Sequence, residues 1–247
     1  MDPTPVQLGG WETVADNWWV FVQGLYVTVL LTVGSLLLGF LAGFPTGATE
    51  VYGDGPMASL VRGAGILLRG TPIVVLIVLF FFGVPWPEVG SPAFGGWGLV
   101  EEYTVNGQAL LAATAALGLR SAAYQSQVFR GAIQSIDEGQ LEAARSVGLS
   151  KVEAVRHVVL PQALRRSIPG FQNEFTIVLK DTSIAIAIGL GELLYRGRQL
   201  FIRRDVDAMF EVILAISAIY FVLTFATNRT LDRIEERYAV PTGESSR

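Results

Sequence analysis

The chain contains no cysteine and a single histidine, His157. Disulfides, thiol nucleophiles and cysteine metal sites are therefore excluded. One histidine also builds neither a multi-histidine metal site nor an H-E-x-x-H motif. Lysine is nearly absent: Lys151 and Lys180 are the two present, and neither follows a glycine. The sequence thus lacks a G-x-x-x-x-G-K-[ST] loop to cradle nucleotide phosphates. Gly189 and Gly191 lack the third glycine of a dinucleotide fingerprint. Charge is scarce, at 16% of 247 residues against 51% hydrophobic. The net charge of −4 argues against nucleic acid as a partner. Residues 1–10 show no basic region followed by a short apolar core, so no cleavable signal peptide is expected.

What is present suits a multi-span membrane protein, since a bilayer core takes about 20 mostly apolar residues per helix. Five such runs stand out: residues 18–44, 63–84, 107–129, 171–191 and 210–228. The first opens on the pair Trp18-Trp19, an interface-type signature. The expected fold is all-α and integral to the cell membrane, with an N-terminal segment at 1–17, a membrane-spanning body at 18–228 and a tail at 229–247. Orientation follows from arginine and lysine in short loops. Segments 1–17 and 85–106 have neither, whereas 130–170 has Arg130, Arg145, Lys151, Arg156, Arg165 and Arg166. This places the N-terminus outside and the C-terminus in the cytoplasm. One segment dissents: 192–209 is then outside yet holds Arg196, Arg198, Arg203 and Arg204. The Gly-, Pro- and Trp-rich loop 85–106 is expected to lie along the membrane surface.

Between the third and fourth runs lies a charged, helix-prone stretch, QLEAARSVGLSKVEAVRHVVLPQALRR. Good helix formers run from Glu138 to Val147, and Gly148 follows, placed to take a left-handed conformation cheaply. Ser150 and Glu153 have the spacing of a capping box, and Pro161 suits the first turn of a further helical piece. The spacing predicts helix, sharp bend, helix, turn, helix. Ala143 and Ala144 leave a small surface for close approach. Composition alone favours a solvated amphipathic linker.

The spacing resembles something more specific. Glu142-Ala143-Ala144, three residues, Gly148, nine residues, then Val158-Val159-Leu160-Pro161 is similar to the EAA loop of ABC importer permeases, with Val158 in place of the usual isoleucine. Arg69-Gly70-Thr71-Pro72, Ala123-Tyr124, Phe129-Arg130-Gly131-Ala132-Ile133, Pro161-Gln162-Ala163 and Leu179-Lys180-Asp181-Thr182-Ser183 resemble the polar amino-acid subfamily of the histidine and glutamine type. The resemblance implies a type I importer permease: one of two permease subunits, homomeric or heteromeric. It also implies two ABC ATPase subunits that use ATP and magnesium, and an extracytoplasmic solute-binding protein that delivers the amino acid. In that setting the hairpin is the coupling helix, and Glu142, Ala143, Ala144, Gly148, Leu160 and Pro161 form the contact with the ATPase. The chain itself is then no enzyme and binds no cofactor.

Charges inside the apolar runs are the substrate clues. A charge near the bilayer centre costs roughly 2.5–3.5 kcal/mol, so it faces a cavity or a partner. Arg120, Tyr124 and Gln127 share one face of the third run. An arginine fork matches a carboxylate, but Arg120 pairing with Asp181 or Glu174 to hold the bundle is an equal alternative. The candidate path comprises Arg69, Thr71, Arg120, Tyr124, Gln127, Lys180, Asp181 and Thr182. The subfamily usually has a small polar residue where Arg120 stands and glutamate where Gln127 stands, which tilts the expectation away from a cationic substrate. A membrane-embedded enzyme is disfavoured because no nucleophile and base lie together in the spans. A secondary transporter or channel acting without an ATPase is the competing class. Gly39, Gly43 and Gly47 have small-xxx-small spacing, read as helix packing within one subunit.

Overall fold

The structure, a computed structural model, describes residues 9–94, 103–202 and 207–238. Nearly all of these are helical. The order is α1 (Gly10–Asp16), α2 (Trp18–Tyr52), α3 (Gly55–Gly70), α4 (Ile73–Gly83), the short strands β1 (Ala93–Phe94) and β2 (Tyr103–Thr104), α5 (Gly107–Gln134), α6 (Glu138–Ser146), α7 (Lys151–Ala154), a π segment (Val155–Val159), α8 (Leu160–Arg166), α9 (Ile168–Asp181), a 3-10 segment (Thr182–Ile188), α10 (Leu193–Phe201) and α11 (Met209–Tyr238). The strands pair antiparallel, Ala93 with Thr104 and Phe94 with Tyr103. They belong to the loop expected along the membrane surface, part of which lies outside the described residues.

The five apolar runs become helices of uneven continuity. Among the described residues, α2 and α11 are each long and apolar enough to cross a bilayer unaided. The second run is two helices, α3 and α4, bent by 109° at a break. Pro72 sits at that break with an extended ψ of 137°. Proline has no N–H to continue the ladder and pushes the preceding residue away from the helical region, so the chain turns there. The fourth run tightens from α9 into the 3-10 segment and stops at Gly189, whose φ is +73°. The first helix, in contrast, runs past Phe44 and through Pro45 to Tyr52. Proline removes one backbone bond there, and the hydroxyls of Thr46 and Thr49 donate back to the carbonyls of Ala42 (2.7 Å) and Pro45 (2.8 Å).

The described residues form two compact units. The first lies within Met1–Ser35, Thr71–Gly118 and Ile177–Ala226. Its core joins Val20 and Phe21 of α2 to Leu193 and Leu200 of α10 and to Val212 and Ile216 of α11. A Cβ on Gly24 would stand 2.7 Å from the Leu193 Cα, so the backbones meet there because residue 24 has no side chain. The fully buried carboxylate of Glu192 caps α10, accepting from the amides of Leu194 (2.8 Å) and Tyr195 (2.7 Å) and from the Tyr220 hydroxyl (3.2 Å). Arg196 stacks over the Tyr103 ring at 4.3 Å and donates to Gln23. This accounts for one of the four arginines that break the loop-charge bias, since Arg196 is spent inside the fold. Arg198 is exposed, and Arg203 and Arg204 lie outside the described residues.

The second unit lies within Leu36–Gly70, Leu119–Thr176 and Thr227–Arg247. Gly39, Gly43 and Gly47 line the face of α2 that meets α5. A Cβ would come within 2.5 Å of the Gln125 Nε2 at Gly39, 2.8 Å of the Ala122 carbonyl at Gly43 and 2.7 Å of the Ser126 carbonyl at Gly47. The stripe thus packs helices of the same chain, as its spacing suggested. Phe40, Phe44 and Phe171 surround the fully buried Phe129, with ring centroids 5.7, 4.9 and 4.7 Å from it.

Candidate functional site

The hairpin between α5 and α9 follows its local sequence closely. Asp137 caps α6, its side chain accepting from the Gly139 amide at 2.7 Å. At the other end the Leu149 amide reaches the Ala144 carbonyl (3.2 Å) and the Gly148 amide reaches the Arg145 carbonyl (3.0 Å). This is the Schellman pattern, which needs a left-handed residue after the cap. Gly148 supplies it with φ of +97°. No atom lies within 4 Å of where a Cβ would stand, so what demands glycine is conformation and not space. The next helix starts on a reciprocal capping box: the Ser150 Oγ accepts from the Glu153 amide (3.3 Å), and the Ser150 amide donates to the Glu153 carboxylate (2.9 Å). The Ser150 hydroxyl also donates to that carboxylate (2.7 Å), and this bond, together with the one from the Ser150 amide, holds the Glu153 carboxyl below the ordinary carboxylate range.

One expectation is corrected here. The sequence suggested a turn before Pro161, but α7 runs through the π segment directly into α8. The Leu160 amide bonds to the Val155 carbonyl, five residues back. A proline ring inside a helix clashes with the carbonyl four residues earlier. One wider turn relieves that clash without ending the helix, as single π-turns do.

The hairpin is fixed at its base. Val159 and Ala163 share an apolar cluster with Ala132, Ile133 and Ile136 at the end of α5, and Ala48, Val51, Tyr52 and Leu141 pack on it. Gln162 Nε2 donates to Gln140 Oε1 (2.6 Å), tying α8 to α6, and Arg166 donates to the Ser135 carbonyl (2.5 Å). The Lys151 ammonium sits over the Tyr52 ring at 5.9 Å. Of the predicted contact residues, Glu142, Ala143, Gly148 and Pro161 are exposed, Leu160 is half-buried and Ala144 is buried; Gly148 stands at the bend, whereas Leu160 and Pro161 adjoin the base. Val147 and Val152, 81% and 75% exposed, flank the bend. The sequence reading passed over both valines. Their signal is positional: apolar residues beside the glycine at the tip of an otherwise charged hairpin.

The candidate path residues have mixed surroundings. Arg120 lies over the Tyr124 ring, its guanidinium carbon 5.1 Å from the centroid. Arg69 donates to the Ala123 carbonyl at 2.6 Å. Gln127 is committed elsewhere: its amide donates to both carboxylate oxygens of Glu50, at 3.1 and 2.9 Å. Thr182, fully buried, donates to the Leu179 carbonyl at 2.7 Å, so its hydroxyl proton is used within its own helix. Lys180 is exposed, while Thr71 and Asp181 are half-buried. Glu50 is the residue the sequence reading missed. It stands outside the apolar run ending at Phe44, and nothing local marks it as buried.

The chain matches a family described as the binding-protein-dependent transport system inner membrane component, over residues 21–240. It is similar to a probable amino-acid permease of Bacillus subtilis strain 168, at 30% identity over 94% of this chain and 96% of that one. Similarity to the glutamine transport system permease protein of Escherichia coli strain K12 is 35% identity over 87% of this chain and 90% of that one. A solved structure described as an amino acid ABC transporter with histidines superposes with a TM-score of 0.75 at 29% identity, covering 94% of this chain and all of that one. The EAA-type spacing, the helical fold and these matches agree, and the chain belongs to the family of inner membrane components of binding-protein-dependent transport systems.

Proposed function

We propose that this chain is the permease subunit of an ATP-driven importer for polar amino acids, with ATP hydrolysed by a separate ABC ATPase that docks on the 138–166 hairpin. The observation that carries the coupling role is the hairpin's construction. A Schellman turn, a reciprocal capping box and an apolar base hold it at both ends, while Val147 and Val152 are left exposed at the bend and Glu142 and Ala143 on α6. A solvated linker needs none of that rigidity, whereas a segment that carries a push does. The substrate class rests on the amino-acid and glutamine permeases the chain resembles. Five spans with the N-terminus outside and the C-terminus in the cytoplasm fit the loop charges. The bent α3–α4 pair then counts as one span, and α9 with its 3-10 extension as another. A second permease subunit and an extracytoplasmic solute-binding protein complete the assembly. Arg120 stacked on Tyr124 is the preferred contact for the substrate carboxylate, with Arg69, Thr71, Lys180, Asp181 and Thr182 along the path.

The test is on the hairpin. Glu142→Lys reverses a charge on the exposed face of α6, beside the groove lined by Val51, Tyr52 and Ile133. It is expected to lower co-purification of the ATPase at least about tenfold, a loss of about 1.4 kcal/mol. ATPase recovered at wild-type yield, with normal substrate-stimulated hydrolysis, would remove the coupling role from this hairpin.

A further inference from the structure

Glu50 has a role that the fold alone does not require. It lies in the last turn of α2, 5% exposed. Its carboxylate accepts from the Gln127 amide at both oxygens (3.1 and 2.9 Å), from the Ser126 hydroxyl (3.2 Å) and from Arg130 Nη1 (3.4 Å). Its backbone carbonyl accepts from Arg62 Nη2 of α3 at 3.0 Å. One residue thus joins the end of α2 to α5 through its side chain and to α3 through its backbone. Burying a carboxylate costs solvation, and well-packed apolar residues hold helices together at least as well. A joint made this way supplies direction and fixed geometry more than raw stability.

Its place relative to the hairpin gives that geometry a use. Ala48, Val51 and Tyr52, the immediate neighbours of Glu50 on α2, pack on the cluster that seats Val159 and Ala163 of the hairpin. Ile133 of the same cluster follows Arg130 on α5 by one turn, and Ile136 lies just past the end of α5. A displacement of the hairpin therefore reaches α2 and α5 together, at the turn where Glu50 fastens them. We propose that Glu50 is a positioning residue for transport: it makes the ends of α2 and α5 and the middle of α3 move as one body when the hairpin is pushed. This rests on the reading of the hairpin as the coupling element.

The test uses the complete transporter, with transport and hydrolysis measured in the same proteoliposomes. Glu50→Ala and the milder Glu50→Gln are expected to leave ATPase association and hydrolysis near wild type, while substrate moved per ATP falls about tenfold for Glu50→Ala and less for Glu50→Gln. Hydrolysis and transport falling in proportion, or neither changing, overturns the proposal, because a merely structural residue does not alter their ratio. If Glu50→Ala fails to assemble, the native absence of cysteine provides the second measurement. Glu50→Cys with Arg130→Cys, bridged by a bifunctional thiol reagent, is expected to regain substrate moved per ATP over the unbridged pair. A bridge that leaves the ratio unchanged or lowers it shows that the two ends need not move together and overturns the proposal. Glu142→Lys, run in parallel, separates the two ideas. If it leaves docking and coupling intact, the hairpin reading fails. If it uncouples while the Glu50 variants do not, the Glu50 proposal alone fails.

Discussion

Gly148 shows how much one backbone angle can decide. Its φ of +97° closes the Schellman turn, and the space around it is open. Gly148→Val therefore meets no atoms, only a left-handed conformation that costs a Cβ-bearing residue roughly 1–2 kcal/mol. The protein should still insert, with a melting temperature lower by only a few degrees, while uptake drops sharply. Gly148→Asn should keep more uptake, because asparagine tolerates this region better than valine. Uptake and melting temperature measured on the same preparations check both. Two positions further on, hydrogen bonds from Ser150 hold the Glu153 carboxyl below its ordinary value of 4.5. A carboxyl lowered by folding stabilises the fold above the unfolded value and loses that contribution as pH falls through the lowered one. The protection of the Glu153 amide, its exchange relative to an unstructured peptide at the same pH, should therefore fall as pH drops below about 4.5, and Glu153→Gln should flatten that dependence. Both residues were legible in the sequence because caps and left-handed glycines are local signals. Glu50 was not. Its burial depends on Ser126, Gln127 and Arg130, roughly eighty positions away, and no local pattern encodes that pairing.

Among elements, the glycine stripe and the helix breaks divide what spacing can reveal from what it cannot. Gly43 and Gly47 approach backbone carbonyls of α5, where a Cβ would stand at 2.8 and 2.7 Å. Backbone does not yield as a flexible side chain does, so Gly43→Ala and Gly47→Ala force α2 and α5 apart, at about 1–3 kcal/mol each. Gly131, on the exposed face of α5 with nothing within 4 Å, behaves oppositely: Gly131→Ala should stabilise by about 0.5–1 kcal/mol. Thermal unfolding of the three variants in detergent should give that order, and equal effects would mean the stripe is not a contact. The four-residue period made the stripe visible in advance. The 109° bend between α3 and α4 was less so, since the apolar run resumes directly after Arg69-Gly70-Thr71-Pro72 and only that short interruption marks it. The π segment was invisible, because its cause is how the chain accommodates Pro161 and not whether a helix forms.

For the whole molecule, hydropathy and the EAA-type spacing indicated an importer permease, and the family match over residues 21–240 agrees. Orientation rests on loop arginines alone and can be measured directly. Gly95, a natural position for an external label, lies outside the described residues. Gly90 is exposed with nothing within 4 Å of its Cβ position, and Val152 is 75% exposed at the hairpin tip. In this cysteine-free chain, Gly90→Cys should react with a membrane-impermeant maleimide in intact cells, and Val152→Cys should react only after permeabilisation. The reverse pattern would invert the topology. The path residues were the least legible part. Intramembrane charge singled out Arg120, and helical spacing put Gln127 on the same face, but Gln127 proves to face Glu50, and sequence alone does not say which way a polar side chain turns.

The central claim is that this chain moves its substrate only when a separate ATPase drives it through the hairpin. Proteoliposomes holding the permease with its ATPase, supplied with a solute-binding protein and a radiolabelled polar amino acid, test it directly. The account predicts accumulation that requires ATP and is lost when the ATPase is omitted, whatever ion gradient is imposed. Accumulation by the permease alone under a proton or sodium gradient, without ATPase or ATP, would contradict it.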